Sequence, residues 1–418
     1  MKYIQTHITY LLFLIVVLAT HATQIRVQPN GKVSSINQAI AVASPGDTIL
    51  VTSGIYREGN ILVDKPLVLM GVGNPIIDGE HKTEVFTVSG RHVTITGFKI
   101  MNSGVSSMKD LAGIGALQAE FLTIRKNEFI NTFFGVHISN SNYSVIEHNT
   151  FEATAVNEYE IGNGIHLWQC TNATIRNNTI RGHRDGIYFE FVTKSTIEEN
   201  ISEHNLRYGL HFMFSHDDEY HHNIFRENGS GVAVMYTRNV KMTYNTFEKN
   251  WGNSVYGLLL KDISDSQVSN NRFIQNTIAI YMEGTSRTEF KQNLFSANGW
   301  AVKLQASCDA NTFTKNNFQS NTFDFATNGT LVLNTIDGNY WDKYQGYDLN
   351  KDGRGDVPHR PVNMYTMIVE RIPTAVLLWR SFLVYLLDRA EKVFPAVTPE
   401  NLKDDYPSMK PYDFNTRS

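Results

Sequence analysis

The chain is poor in cysteine, with only Cys170 and Cys308 among its 418 residues. A repeat described below places these two residues six coils apart, which is about 29 Å at the spacing of stacked parallel strands. A disulfide requires two Cα atoms within about 7 Å of each other. We therefore predict that both cysteines are free thiols with a structural role.

The chain also has no excess of basic charge. Its 37 lysine and arginine residues face 41 aspartate and glutamate residues, for a formal net charge of −4 and a pI near 6.4. Nucleic-acid-binding domains usually carry clustered positive charge, so nucleic acid is not an expected partner. The composition is 42% hydrophobic and 11% aromatic, which supplies a large core and excludes a disordered chain.

A long apolar run is missing from the N-terminus. Lys2 is followed by a short apolar run, Leu11 to Leu18, and by the small-residue sequence Thr20-His21-Ala22. This order is typical of a cleavable signal peptide, and the run is short for the alternative, a membrane anchor. We expect residues 1–22 to be removed on export, so that the mature chain starts near Thr23.

What the chain does contain is a repeat of about 22 residues. Each unit reads as a glycine-led strand, a short turn and an apolar segment that carries an asparagine. A fixed period of this length is typical of a solenoid. Asparagine tolerates the left-handed conformation that a sharp corner needs, and stacked asparagines form hydrogen-bonded ladders. The asparagines assigned to this corner are Asn127, Asn149, Asn178, Asn200, Asn223, Asn245, Asn271, Asn293 and Asn317.

This repeat predicts an all-β chain folded as a right-handed parallel β-helix, with a cap helix at the N-terminal end and an amphipathic helix at the C-terminal end. The segment Ser34 to Ala43 reads as the cap, which would cover the open end of the solenoid. Insertions at about residues 152–160 and 249–255 are expected in surface loops. We divide the chain into a signal peptide (1–22), an N-terminal cap with the first coils (23–130), regular coils (131–336), an Asp/Asn/Gly-rich loop (337–361) and a C-terminal helix with a tail (362–418).

The glycine-led strands separate an inner from an outer column, because side chains alternate across a strand. The first and third positions after the glycine are apolar in every coil, from Val136 and Ile138 to Val302 and Leu304. The outer positions contain imidazoles, thioethers and large aromatic rings in place of the small polar residues and lysine of a solvated face. This outer column is the candidate functional surface.

A soft-metal surface is one interpretation of the outer column. Imidazole and thioether ligands suit Cu(I). The second interpretation is a contact patch, covered by a loop or a partner chain and without chemistry. Under the first interpretation the candidate copper ligands are His211, Met213, Met235, His166 and His216.

A carbohydrate-active surface, either a polysaccharide lyase or a carbohydrate-binding module, is the third interpretation. Trp168 would stack on a sugar, and Glu190 and Glu283 would be its acid and base. These two carboxylates lie four coils apart, roughly 19 Å by strand spacing. Glycosidase carboxylates lie about 5 to 9.5 Å apart, which excludes this pair as a hydrolytic dyad but leaves a lyase open.

An acidic loop follows the last regular coil. Its alternating oxygen ligands, with Gly353 at the sixth place, resemble a calcium loop. The twelfth place is His359 and not a bidentate glutamate, so a full EF-hand is absent, and a polar turn that ends the solenoid is the alternative. The candidate Ca²⁺ ligands are Asp348, Asn350, Asp352 and Asp356.

A strongly apolar helical stretch lies near the C-terminus, between Val376 and Leu387. Arg380 and the short length argue against a membrane span. A helix this apolar outside the solenoid needs a membrane surface, another subunit or the side of its own β-helix to cover it. We favour a membrane-linked partner, with docking through Trp379, Phe382, Leu383 and Leu386.

Several motifs in a fixed order are more specific than the repeat, which pectin-degrading enzymes share. They are Gly162-Asn163-Gly164-Ile165-His166-Leu167-Trp168, Arg184-Asp185-Gly186-Ile187-Tyr188-Phe189, Tyr208-Gly209-Leu210-His211-Phe212-Met213-Phe214, Ala233-Val234-Met235-Tyr236, Gly338-Asn339-Tyr340-Trp341, Asp356-Val357-Pro358-His359-Arg360-Pro361 and Tyr406-Pro407-Ser408-Met409-Lys410-Pro411. With these motifs the chain resembles the NosD family of nitrous oxide reductase maturation proteins. It departs from the family's common Thr-Asn at Ser215-His216.

The resemblance implies a periplasmic accessory protein that is not an enzyme. Such a protein would work with an ABC transporter, made of an ATPase and a membrane subunit, and would dock to it through the C-terminal helix. It would supply copper, transiently and as Cu(I), or otherwise assist assembly of the copper–sulfur centre of nitrous oxide reductase. A copper chaperone and the reductase itself are the other expected partners.

Overall fold

The computed structural model describes residues 22–106, 108–252, 255–329, 333–393, 398–399 and 401–414. The chain winds into a right-handed parallel β-helix with three sheets of 14, 13 and 12 strands, here named A, B and C. This confirms the predicted fold class. Nearly all of the predicted signal peptide, residues 1–21, lies outside the described residues.

Each regular coil contributes one short strand to each sheet, in the order A, B, C. The strands of sheet A are Gln24–Val27, Thr48–Thr52, Val68–Val72, Thr94–Thr96, Thr123–Arg125, Val145–Glu147, Thr174–Arg176, Thr196–Glu198, Glu219–His221, Lys241–Thr243, Gln267–Ser269, Glu289–Lys291, Thr312–Thr314 and Thr335–Asp337. Those of sheet B are Ile55–Tyr56, Ile76–Asp78, Lys99–Met101, Glu128–Ile130, Thr150–Glu152, Thr179–Arg181, Ile201–Glu203, Ile224–Arg226, Thr246–Glu248, Arg272–Ile274, Leu294–Ser296, Asn317–Gln319 and Tyr340–Trp341. Those of sheet C are Ile61–Val63, Phe86–Val88, Ala112–Leu117, Phe134–Ser139, Ile165–Trp168, Asp185–Glu190, Tyr208–Met213, Ser230–Met235, Tyr256–Lys261, Ile278–Glu283, Trp300–Leu304 and Phe323–Thr327.

The core is a set of columns in which like side chains stack from coil to coil. In sheet B, Phe247, Phe273, Phe295 and Phe318 stack with ring centroids 4.6, 5.0 and 4.8 Å apart, and Trp341 follows at 4.2 Å. Aromatic pairs of this kind add about 0.5 to 1.5 kcal/mol each beyond the burial of their area. The columns lock the register, since a one-residue slip would turn every ring outward.

The predicted asparagine ladder is present at the corner between sheets A and B. The backbone N–H and the side-chain amide of Asn200 both donate to Oδ1 of Asn223, each at 3.0 Å. The side-chain amide of Asn223 donates in turn to the carbonyl of Ile197 at 2.9 Å. Each amide therefore satisfies backbone groups that the corner would otherwise leave buried without a partner.

Two details of the ladder prediction are wrong. The left-handed residue is not the ladder asparagine but the residue before it, as at His222 with φ 57° and Glu199 with φ 55°. The last assignment is also off by one residue, because the ladder continues from Asn293 to Asn316, not to Asn317. Asn317 begins a strand of sheet B, and its side-chain amide donates to the carbonyl of Tyr412.

A short helix, α1 (Ile36–Val42), caps the N-terminal end as predicted. Ser35 is its N-cap, and the Ser35 hydroxyl accepts from the backbone N–H of Gln38. The Glu58 carboxylate accepts from the N–H groups of Ile36 and Asn37 at 2.6 and 2.9 Å. These bonds satisfy the first N–H groups of the helix and tie it to the first coil.

The C-terminal tail closes the other end of the asparagine ladder. Asp404 is fully buried, and its carboxylate accepts from the backbone N–H groups of Gly338 and Asn339 at 2.9 and 2.8 Å and from the Trp341 indole at 3.0 Å. Asp404 thus occupies the place that the next ladder asparagine would take. The tail protects an end that would otherwise expose unpaired backbone groups.

The helical module between solenoid and tail contains α2 (Met364–Arg371), a 3-10 helix (Pro373–Leu378) and α3 (Phe382–Val393). The predicted apolar stretch is therefore two helices, separated at Arg380, whose φ is 64°. An ion pair of 2.8 Å between Lys303 and Glu370, both largely buried, ties α2 to the solenoid. None of the helices within the described residues is long and apolar enough to cross a membrane.

Cys170 and Cys308 are both buried and free, as predicted. Burial raises the pKa of the Cys170 thiol to about 11, which keeps it protonated at neutral pH. Since the thiolate is the reactive form, a structural role follows.

Candidate functional site

The outer column of sheet C contains a stack of imidazole and phenol rings from four consecutive coils. His137, His166, Tyr188 and His211 are register partners in adjacent strands. Their ring centroids follow at 4.8, 4.7 and 4.7 Å. Strand alternation places these rings on the outer face of the β-helix, as predicted. They are nevertheless not freely exposed, since His211 keeps only 5% of its accessible surface.

A buried carboxylate, Asp185, organises the end of this stack. It accepts from Nε of Arg207 at 2.8 Å and from the second guanidinium nitrogen in a bidentate pair. Nδ1 of His211 lies 3.5 Å from the same carboxylate. Burial raises the pKa of Asp185, but the hydrogen bonds from Arg207 and His211 outweigh it and lower the pKa to about 2. Asp185 is therefore a permanent negative charge beside His211.

Three imidazole nitrogens of the stack have no hydrogen-bond partner although they are buried. They are Nε2 of His211 and both ring nitrogens of His166. An unsatisfied buried polar atom usually costs about 1 to 3 kcal/mol, so these nitrogens are candidates for binding a ligand. Burial, with the neighbouring His137, lowers the pKa of His166 to about 3, so His166 is neutral.

Two thioethers lie beside His211 on the same face. Met213 is two residues along the strand from His211. Met235 is the register partner of Met213 in the next coil. Both are partly exposed. The Tyr188 hydroxyl donates to the sulfur of Met213 at 3.4 Å, which orients the thioether. Ala233 is the register partner of His211 in the next coil and is fully buried.

Three of the five copper candidates, His211, Met213 and Met235, lie at neighbouring outward positions of two adjacent strands. His166 is separated from His211 by the Tyr188 ring, so the two imidazoles do not share one ion. His216 lies in the turn after the strand, where Nδ1 accepts from the backbone N–H of Arg238. No group of three or more His, Cys, Asp or Glu side chains in the described part of the chain could hold a metal ion.

The predicted insertion after Glu152 lies against this site. Asn163, at its end, is fully buried and its side-chain oxygen accepts from Arg184 at 3.3 Å. The hydrogen bond to Asp185 raises the pKa of Arg207, and the negative charge of Glu158 on the insertion contributes to the same shift. Residues 156–160 of the insertion are exposed, and Met213 and Met235 are partly exposed.

The calcium candidates lie in a surface loop. Both Asp348 carboxylate oxygens accept backbone N–H groups, from Asp352 and Gly353 at 3.2 and 2.9 Å. An oxygen of Asp356 accepts from Leu349 at 2.6 Å. Calcium binding by this loop stays a prediction.

The carbohydrate interpretation placed Glu190 and Glu283 in one column. The register confirms that they lie four coils apart, through Met213, Met235 and Lys261. They remain too distant to act as a pair.

Sequence reasoning missed Asp185 and Arg207 as parts of the site. The 22-residue period could have predicted this ion pair, because opposite charges 22 residues apart face each other in neighbouring coils. Asp265 and Arg287 show the same spacing and also form an ion pair. His137 and Tyr188 also belong to the outer column, but strand alternation alone does not show that their rings form one stack with His166 and His211.

Comparison with known proteins supports the resemblance stated above. A family model described as "Periplasmic copper-binding protein (NosD)" matches residues 152–346. A curated protein of Pseudomonas aeruginosa, named "Probable ABC transporter binding protein NosD", is 27% identical over 383 residues, covering 86% of this chain and 87% of its own. The protein of the same name from Stutzerimonas stutzeri is 25% identical over 380 residues, covering 86% of each chain. The chain thus resembles the NosD family over most of its length.

Solved structures with a similar fold have varied activities. An α-1,3-glucanase from Streptomyces thermodiastaticus has a TM-score of 0.60 at 14% identity, covering 73% of this chain and 65% of its own. The periplasmic alginate epimerase AlgG has a TM-score of 0.53 at 14% identity, covering 75% and 82%. At this identity the likeness shows the β-helix fold alone.

Proposed function

We propose that this protein is a periplasmic, non-enzymatic accessory protein that handles copper during maturation of nitrous oxide reductase, together with an ABC transporter. Export by the signal peptide at 1–22 would deliver it to the periplasm. Cu(I) is the transient cargo, received from a copper chaperone and passed toward the reductase. The names of the family model and of the curated relatives support the copper and transporter parts of this role.

The observation that carries the copper proposal is the grouping of His211, Met213 and Met235. One imidazole and two thioethers form a soft ligand set, which favours Cu(I) over harder cations. A three-ligand site that is partly open to solvent on the Met side suits a cargo that must be released again.

Asp185 influences which ring nitrogen of His211 is available as a metal ligand. The carboxylate lies 3.5 Å from Nδ1 of His211 and favours the tautomer in which Nδ1 carries the proton, which leaves the Nε2 lone pair free and without a protein partner. Metal-binding histidines commonly donate their other ring N–H to a carboxylate, which raises the basicity of the ligand. The tautomer that Asp185 favours is the one that leaves Nε2 available to a metal ion.

The test is a Cu(I) competition titration against a chromogenic chelator under anaerobic conditions. We compare the wild type with His211→Phe, which keeps a ring in the stack, and with the double variant Met213→Leu/Met235→Leu. Each is expected to weaken the tightest Cu(I) site at least about tenfold, or about 1.4 kcal/mol.

Met108→Leu is the matched control, because Met108 is 92% exposed and far from the site in the sequence. It is expected to bind Cu(I) as the wild type does. Unchanged affinity in both site variants would remove the proposed copper site.

The C-terminal helices are proposed to dock the protein to the membrane subunit of the transporter. Phe382, Leu383 and Leu386 are 73%, 52% and 47% exposed. Trp379 is 37% exposed and packs against Phe323 with ring centroids 4.8 Å apart, which anchors this surface to the solenoid. A contiguous exposed apolar surface of this kind usually marks an interaction site. Membrane association would then follow from the partner.

A further inference from the structure

Two adjacent histidines on sheet A face each other through the same ring atom. Nδ1 of His221 lies 3.1 Å from Nδ1 of His222. His221 is on the outward face of the strand Glu219–His221, and His222 occupies the left-handed corner that follows it. Both rings are accessible to solvent, and neither belongs to the sheet C site described above.

Each ring is held in place by a different neighbour. Nε2 of His221 lies 3.5 Å from a carboxylate oxygen of Glu198 in the preceding coil. The ring of His222 stacks on Tyr244 in the next coil, with centroids 5.0 Å apart and an interplanar angle of 1°. Glu198 favours the tautomer of His221 in which Nε2 carries the proton, which leaves the Nδ1 lone pair pointing toward His222.

The separation of the two nitrogens fits a chelated metal ion. With metal–nitrogen bonds of about 2.0 to 2.1 Å, a bite of 3.1 Å gives a nitrogen–metal–nitrogen angle of about 100°. That angle lies within the range of tetrahedral and tetragonal sites. Without a metal, one imidazole donates to the other. Binding only requires the His222 proton to move to the exposed Nε2, which costs little because water solvates that atom.

We propose that His221 and His222 form a surface chelate for a late first-row divalent cation, with their Nδ1 atoms as ligands and water in the remaining positions. Two imidazoles without sulfur suit Cu²⁺ and Zn²⁺, and the Irving–Williams order predicts that Cu²⁺ binds more tightly. The site therefore differs in ligand type and in preferred oxidation state from the His211 site. Its open positions suit exchange of the ion with a second molecule.

The test is isothermal titration of the untagged mature chain with Zn²⁺ and with Cu²⁺. His222→Asn places at the left-handed corner the residue that Asn177 and Asn270 supply in equivalent corners. His221→Thr copies Thr243, the register partner in the next coil. Each variant is expected to weaken binding of both ions at least tenfold, with Cu²⁺ bound more tightly than Zn²⁺ by the wild type.

His204→Asn is the matched control. His204 also has a left-handed backbone, and its Nε2 lies 3.1 Å from a Glu227 carboxylate oxygen, but it is not paired with a second imidazole in this way. It should bind both ions as the wild type does. In the electron paramagnetic resonance spectrum of the Cu²⁺-loaded protein, two-nitrogen coupling should disappear in His222→Asn.

Equal affinity in the wild type, His221→Thr and His222→Asn would overturn the proposal. An equal loss in His204→Asn would also overturn it, by showing that any surface histidine contributes. Thermal unfolding of each variant checks that the fold is intact. Because the Cu(I) titration uses other variants and another oxidation state, failure of one proposal leaves the other standing.

Discussion

Two buried carboxylates in neighbouring coils have opposite protonation behaviour. Burial raises the pKa of both. At Asp185 the bonds from Arg207 and His211 outweigh burial and lower the pKa to about 2. At Asp218 burial dominates over one backbone N–H, that of Ser195, and raises the pKa to about 8. The number of donors, and not the residue type, decides which carboxylate is charged in the folded protein.

Asp218 is expected to make stability depend on pH. Its pKa is raised to about 8 in the folded chain, against about 3.9 when unfolded, so between these values the folded chain retains a proton that the unfolded chain loses. Its contribution to the free energy of unfolding therefore falls as pH rises through this window. Asp218→Asn should abolish this dependence and stabilise the protein by about 1 to 3 kcal/mol at pH 8.

The structure indicates where the new amide would bind. At the equivalent corner, Asn311 donates from its side chain to the carbonyl of Thr285 at 2.8 Å. In the Asp218→Asn variant, the carbonyl of Val192 is in the matching position to accept from the new side-chain amide. Thermal unfolding at pH 5 and pH 8 measures the effect, and the difference between variant and wild type should grow with pH. A constant difference would contradict the assignment.

At the scale of elements, the corners add buried side-chain hydrogen bonds between coils to the backbone hydrogen bonds of the three parallel sheets. A second ladder, between sheets B and C, was not predicted. Its members are Asn205, Asn228, Asn250, Asn276, Asn298 and Asn321. His183 occupies the same position one coil earlier, where its backbone N–H donates to Asn205. The first asparagine of this ladder, Asn205, lies two coils after the insertion.

A ladder asparagine should be costly to remove. Asn223→Ala leaves the N–H of Asn200 and the carbonyl of Ile197 without their side-chain partners, and should lower the free energy of unfolding by about 2 to 4 kcal/mol. Chemical denaturation measures the loss. Asn30→Ala, at an exposed turn, is the control and should change stability by less than about 0.5 kcal/mol. Equal effects would mean that the ladder does not stabilise the stack.

At the scale of the whole molecule, the solenoid separates the candidate copper site from the proposed docking surface. The candidate copper site lies on sheet C in the middle coils, and the proposed docking surface lies on the helices beyond the last coil. The stacked coils between them form one continuous core, so a docked partner would hold the copper site at a fixed position. This geometry suits transfer to a molecule that is bound elsewhere on the transporter complex.

Docking is tested by co-purification with the membrane subunit in detergent. The double variant Leu383→Ser/Leu386→Ser removes apolar area from an exposed surface and should weaken the complex at least tenfold without lowering stability. Leu349→Ser is the control, since Leu349 is 77% exposed on the acidic loop and should leave the complex intact. An unchanged complex in the double variant would exclude α3 as the docking element.

The sequence by itself determined the fold, the register and the separation of inner from outer columns. It could do so because a solenoid coil contacts its neighbours at a nearly constant spacing along the chain, so local periodicity specifies most contacts. The outer position of His211, Met213 and Met235 followed from the same alternation. The corner asparagines followed too, apart from the left-handed residue and the last coil.

Only the tertiary structure decided what lies outside that period. It showed that Tyr188 separates His166 from His211, that Asp185 and Arg207 complete the site, and that the tail places Asp404 on the end of the ladder. The orientation of a side chain at a corner depends on how its neighbours pack, and so do the contacts that an insertion makes. A periodic sequence pattern does not predict either of them. Asp404 shows this most clearly, since it bonds to Asn339 across 65 residues of sequence.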